Sequence, residues 1–150
     1  MNSRKRHAYA VALRMAQVKE LRAQVALAGA VDKETAAQEH VNTVEAARQS
    51  LAKASNTCVV DGRSMDLARY ELLTRLDAAL SHRWKLANDA LDDAAQRRIE
   101  SASENVVAKR HRELVGEHLD SAELAWIQSR AAKAQEDGIE LWLGSREEAS

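Results

Sequence analysis

Few side chains in this chain have the type and spacing to do chemistry. His111 and His118 are seven residues apart, share a helix face, and have Glu117 beside the second. Helical zinc sites use i,i+4 spacing, and no cysteine or third ligand is nearby, so these read as solvated or interfacial histidines. Cys58 has no base in its neighbourhood to activate a thiolate and reads as a plain reduced thiol. The glycines at 29, 62, 116, 138 and 144 are scattered, and none opens a helix after a strand, so no phosphate-binding loop is present. The remaining candidate is the basic cluster Arg4, Lys5, Arg6, Arg14, Lys19 and Arg22, which gives residues 1–22 a net charge of +5 against the single acid Glu20. No aromatic interleaving or DNA-binding motif accompanies it. Glu100, Glu104, Glu113 and Glu117 offer it partners, so intramolecular or protein–protein pairing is favoured over nucleic acid.

The elements that would position these residues are long helices. The 150 residues include no Pro, no Phe and 3% aromatics, with 45% apolar residues, largely Ala, Leu and Val, and 30% charged ones. That composition suits thin apolar seams between exposed helices rather than a layered core, and its apolar content and net charge of −1 argue against disorder. No run approaches the ~18 apolar residues of a membrane span, and the segment after Arg4-Lys5-Arg6 is too short and charged for a secretory signal. A cytoplasmic protein with no membrane span is expected.

The one cluster of turn residues is Asn56–Asp66, containing Asn56, Asp61, Gly62 and Ser64, with Ser64 a candidate N-cap and Asp66 in the first turn after it. The expected fold is therefore all-α: a long antiparallel two-helix coiled-coil hairpin spanning 1–150, with the second helix extending past the first. Helix 1 is expected over about 3–55, the turn over 56–64, helix 2 over about 65–137, and an apolar tail over 138–150, with Gly138 as the left-handed cap. Spacings of three and four place a seam on Val18, Leu21, Val25 and Ala28, then on Ala37, Val41, Val44, Ala47, Leu51 and Ala54. A phase shift and weak spot are predicted between them, at Gly29 and the polar run Asp32–Thr35. The second arm carries Leu73, Leu76, Leu80, Trp84, Ala87, Leu91 and Ala94; Arg98 then interrupts the stripe, Ile99, Ala102 and Val106 resume it in a new phase, and Gly116 marks a second soft point. Trp84 reads as packing in the seam. Glu71–Arg75 and Asp93–Arg97 are expected i,i+4 pairs.

Residues 1–60 carry nine basic and five acidic side chains, and residues 61–150 carry 13 and 18, so the arms are electrostatically complementary. Reflection about residue 60 places residue i opposite 120 − i, with Arg4 near Gly116. Residues beyond about 120, including Trp126, Ile127 and Trp142, are then left without a partner, and large aromatics on an unpaired helix point to a binding partner, self-association or folding back onto the shaft.

After the turn, Gly62 and the run Leu67-Ala-Arg-Tyr70-Glu-Leu-Leu73-Thr-Arg-Leu76-Asp-Ala-Ala79-Leu80 resemble the pattern that opens the second helix of the FliJ/YscO/HrpO family, the central stalks of type III secretion and flagellar export ATPases. The length, the Arg-rich first helix, the Pro-free hairpin and the acidic, tryptophan-containing end are also similar, so the resemblance covers nearly the whole chain. The pair Leu72-Leu73 departs from it, since an aromatic can follow the tyrosine in the family. The resemblance implies a non-catalytic, cofactor-free shaft at the inner-membrane secretion apparatus, seated in a hexameric ATPase and facing the cytoplasmic domain of the export gate, with export chaperones as further partners. Tyr70, Leu72, Leu73, Leu76 and Ala79 match the region used toward the gate. Arg4, Lys5, Arg6, Arg14, Trp126 and Trp142 fall at the ATPase end. The alternative is a self-assembling structural coiled coil, or a helical chaperone or adaptor.

Overall fold

The computed structural model describes residues 3–60 and 67–149, with side chains described except at positions 58–60. All of these residues are helical. Helix α1 runs Ser3–Val60 and α2 runs Leu67–Ala149, and the two pack closely as an all-α helical hairpin. Without proline, and with Ala, Leu, Arg and Glu throughout, nothing interrupts either helix from within.

Two boundaries differ from expectation. Helix α1 continues through Asn56 and Thr57 to Val60, and α2 continues through Gly138 to Ala149, so residues 138–149 are helix rather than tail. A helical glycine costs only about 1 kcal/mol relative to alanine, and good helix formers on both sides of Gly138 offset that. Asp61, Gly62, Ser64 and Asp66 of the expected turn lie outside the described residues, as does the side chain of Cys58.

The hairpin divides into two compact units: unit 1, Met1–Gln24 with Glu104–Ser150, and unit 2, Val25–Ser103. In unit 2 the core is aliphatic. Val41, Val44 and Ala87 form a buried cluster with Leu91 packed against it, and Ala30 and Leu51 are also buried. Two polar layers cross the same seam: Arg98 Nε donates to Glu34 Oε2, and the Arg48 guanidinium lies 4.8 Å over the Trp84 ring. In unit 1 the buried residues are two alanines, Ala16 and Ala122. Around them Arg112 Nε donates to Glu20 Oε2, Arg6 lies 4.1 Å over the Trp126 ring, and Tyr9 stacks on His118 at 6.2 Å. A Cβ at Gly116 would meet Leu13 Cδ1 at 3.8 Å, an ordinary contact, so Gly116 is a packed position rather than a soft point.

Four of these cross-helix pairs, Arg6–Trp126, Glu20–Arg112, Glu34–Arg98 and Arg48–Trp84, obey one rule: residue i lies across from residue 132 − i. The expected 120 − i is thus displaced by about three helical turns. Trp126 therefore has a partner in α1, and in unit 1 the part of α2 beyond about residue 129 outruns α1. On each helix the four residues recur every 14 positions, two heptads, in the order Arg, Glu, Glu, Arg on α1 facing Trp, Arg, Arg, Trp on α2.

The seam itself keeps one phase. On α1 the half-buried or buried positions 6, 9, 13, 16, 20, 23, 27, 30, 34, 37, 41, 44, 48, 51 and 55 alternate steps of three and four without a break, and on α2 positions 87 to 126 do the same. Glu34 is tied to Arg98 and the Thr35 hydroxyl donates to the Val31 carbonyl at 3.0 Å, so the polar run leaves α1 continuous. The expected seam residues Val18, Leu21, Val25 and Ala28 are exposed, and Ala16, Glu20, Ala23, Leu27 and Ala30 take their place. On α2, Ile99 and Val106 are exposed while Arg98, Ser101 and Asn105 continue the stripe. A supercoiled pair presents one heptad stripe to its partner whatever occupies it, and the three alanines in this stretch allow a closer approach than valine or leucine would. The ion pairs also invert the expected polarity, with acids on α1 and arginines on α2. A slip of one heptad would set Glu20 against Leu119 or Asn105 and Arg98 against Leu27 or Val41, leaving half-buried charges without their partners.

Candidate functional site

At the start of α2, in unit 2, the heptad seam passes through Leu73 and Leu80, which are half-buried. A two-helix seam uses two positions in seven, and the leucines and tyrosine here exceed that supply. Tyr70 is therefore 48% exposed, Leu72 58% and Leu76 44%, with Leu67 and Ala79 also exposed. Leu72, Leu76 and Ala79 form one exposed apolar face, while Tyr70 and Leu67 lie on another side of the helix, and the Thr74 hydroxyl is turned back to the Tyr70 carbonyl at 2.9 Å, within the helix. Such a face can bind a complementary apolar surface.

Unit 1 holds the other candidates. Arg4, Lys5 and Arg14 are exposed, whereas Arg6 is half-buried against Trp126. Arg130, one turn along α2, lies 4.9 Å from the same ring, so Trp126 sits between two guanidinium groups. Cation–π contacts of this kind contribute about 0.5–1 kcal/mol at exposed sites. Arg6 and Trp126 therefore belong to the packing of the hairpin more than to a free surface. Trp142 is different: it is exposed, with only Arg146 of its own helix 4.8 Å over the ring. Every residue from Ile127 to Ala149 is exposed, including Ile139, Leu141, Trp142 and Leu143.

His111 is exposed and His118 is stacked on Tyr9, and among the described residues no three metal-ligating side chains come together. No described helix is long and apolar enough to cross a membrane. Among the described residues the same-helix ion pairs are Arg48–Glu45 and Arg110–Glu113, each at 3.7 Å, in place of the expected Glu71–Arg75 and Asp93–Arg97.

One surface was missed, in part by assigning Val18 and Leu21 to the seam. Val11, Met15, Val18 and Leu21 form an exposed stripe on the outer side of α1 in unit 1, interleaved with the exposed Arg14, Lys19 and Arg22. The signal that separates this stripe from the seam is its company. Heptad positions beside basic residues with no acid in reach suit a solvated or partner-binding face.

The chain matches no protein-family model, no curated protein sequence and no solved structure.

Proposed function

We propose that this chain is a non-catalytic stalk or accessory protein of a type III secretion or flagellar export apparatus, inserting in the hexameric ATPase and linking it to the export gate. The observation that carries the reading is a helical hairpin in which α2 outruns α1 by about 20 residues at 1.5 Å each, offering a bare helix of about 30 Å to a partner. The exposed Tyr70, Leu72 and Leu76 lie within the run that resembles the gate-facing region of the FliJ/YscO/HrpO family, and support the gate assignment. Arg4, Lys5 and Arg14 are exposed and available to acidic groups of an ATPase pore. Export chaperones are further partners in this reading, and the protein acts at the cytoplasmic side of the inner membrane.

The test combines partner capture with two mutant classes. Pulldown should recover a hexameric ATPase whose hydrolysis rate rises when the chain is added. Tyr70→Ala or Leu72→Ala should weaken gate binding by about 1–3 kcal/mol, the scale of one interface anchor, without loss of helicity. Reversal of Arg4, Lys5 and Arg14 should reduce ATPase stimulation, with an effect that shrinks at high salt. Arg6 is left out because its reversal would disturb the contact with Trp126. A chain that neither binds nor stimulates such an ATPase, or that hydrolyses ATP by itself, would overturn the proposal.

A further inference from the structure

Unit 1 exposes two helical surfaces of opposite charge. The first is the outer face of α1, where Val11, Met15, Val18 and Leu21 alternate with Arg14, Lys19 and Arg22, and Glu20, the one acid among residues 1–31, is held by Arg112. The second is the end of α2 beyond residue 129, exposed throughout. Its residues 134–149 carry five carboxylates and one arginine around Ile139, Leu141, Trp142 and Leu143. The α1 face carries its large apolar residues from Val11 to Leu21 and the α2 end from Ile139 to Leu143, and although Arg130 and Lys133 precede the acidic residues of the α2 end, the two surfaces are of opposite net charge. The α2 end cannot satisfy the α1 face of its own chain, because α2 is continuous helix through Gly138 to Ala149 and carries these residues past the end of α1.

We propose that the outer face of α1 in unit 1 is the docking site for the α2 end of a second copy of this chain. Two copies set end to end about a two-fold axis place each α2 end alongside α1 of the other copy, running parallel to it. The lengths agree, since about 20 residues of α2 lie beyond the last α1 partner and the basic apolar face occupies the first 22 residues of α1. With residue 130 of one copy level with residue 3 of the other, Trp142 falls beside Met15, Asp137 and Glu140 come near Arg14, and Glu148 comes near Lys19 and Arg22. The contact occurs twice by symmetry, closes on itself, and leaves neither apolar surface to extend into a filament. This goes beyond the export-apparatus reading and concerns the purified chain; it covers the same α2 end and Arg14 that the export reading offers to an ATPase, so the dimer would have to open for that partner to bind.

Light scattering on the full chain should give twice the 16.6 kDa monomer mass at high concentration, falling toward the monomer on dilution and with added salt. Trp142→Asp, and separately the triple reversal Arg14→Glu, Lys19→Glu and Arg22→Glu, should each raise the dissociation constant about tenfold or more, with circular dichroism unchanged. In a Cys58→Ser background, a Met15→Cys chain mixed with a Trp142→Cys chain should form a disulfide-linked heterodimer under oxidation, which only contact between two copies produces. A chain that stays monomeric, or a dimer indifferent to both variants, overturns the proposal. So does a monomer that sediments with phosphatidylglycerol vesicles through the basic face, since that assigns the face to a lipid surface. An ATPase that fails to bind leaves these measurements unaffected, so this proposal and the export reading fail separately.

Discussion

The two units use one seam geometry and fill it differently. Unit 2 closes the seam with Val41, Val44, Leu51, Ala87 and Leu91, whereas unit 1 buries little beyond Ala16 and Ala122 and relies on Arg6–Trp126, Tyr9–His118 and Glu20–Arg112. Burial of a valine or leucine side chain is worth about 1.5–3 kcal/mol, while an alanine layer has far less area to remove from water. Unit 2 therefore takes more of its stability from apolar burial. Unit 1 is held together more by aromatic and charged contacts, and its exposed apolar residues lie on the outer side of α1 and along the end of α2, whereas those of unit 2 include Tyr70, Leu72 and Leu76 at the start of α2. Residues that do not fill the seam in unit 1 remain available to another molecule.

The largest expected effect breaks the comparison at its strong side. Val41→Ala with Val44→Ala should cost about 2–4 kcal/mol in denaturant unfolding, from lost transfer energy and a residual cavity. Hydrogen exchange should show unit 2 amides losing protection. The matching truncation Leu13→Ala in unit 1, at a half-buried site, should cost about 1 kcal/mol. Equal costs at both sites would mean that the units are equally well packed and that the comparison is wrong.

A smaller effect is expected at the charged layers. Arg112→Glu should destabilise the hairpin by about 1–2 kcal/mol by placing two carboxylates together across the seam, and adding Glu20→Arg should recover most of that. Asn105 offers the complementary test, because its Oδ1 is buried with no hydrogen-bond partner. Asn105→Leu should stabilise the pair by about 1 kcal/mol while loosening its register, since polar seam residues specify alignment at a cost in stability. Spin labels at positions 18 and 114, which the 132 − i rule sets level with each other although Val18 lies on the outer side of α1, report the register.

The smallest effects separate helix propensity from packing. A Cβ at Gly29 or Gly138 meets nothing within 4 Å, so alanine fits at either position. Gly29→Ala in unit 2 should raise the unfolding free energy by about 0.5–1 kcal/mol. At concentrations where the chain is monomeric, Gly138→Ala should raise helicity near the end of α2 without moving the cooperative transition, because that segment has no α1 residue of its own chain across from it. A shift of the main transition by Gly138→Ala would show that the α2 end is coupled to the hairpin after all.

Much of this protein was legible as sequence. The absence of proline and the alanine-rich heptads dictate two long helices, and Ala37, Val41, Val44, Leu51, Leu80, Ala87, Leu91 and Ala94 mark a seam that the structure keeps, with Arg48 taking the place of Ala47 and Trp84 left exposed beneath it. The excess of apolar residues from Tyr70 to Leu76 had to leave some exposed, and it does. Register and phase were not legible. Val18, Leu21 and Val25 are larger hydrophobes than Ala16, Ala23 and Ala30, and local periodicity selects them, yet they face outward. Which stripe meets the partner helix is settled over the whole length of the pair, by pairs as remote as Glu20 with Arg112 and Glu34 with Arg98, 92 and 64 residues apart in sequence. No local window holds both members of such a pair. Its energy exists only after the chain has turned back on itself, so helix identity could be read from the sequence alone, while alignment was decided by tertiary structure.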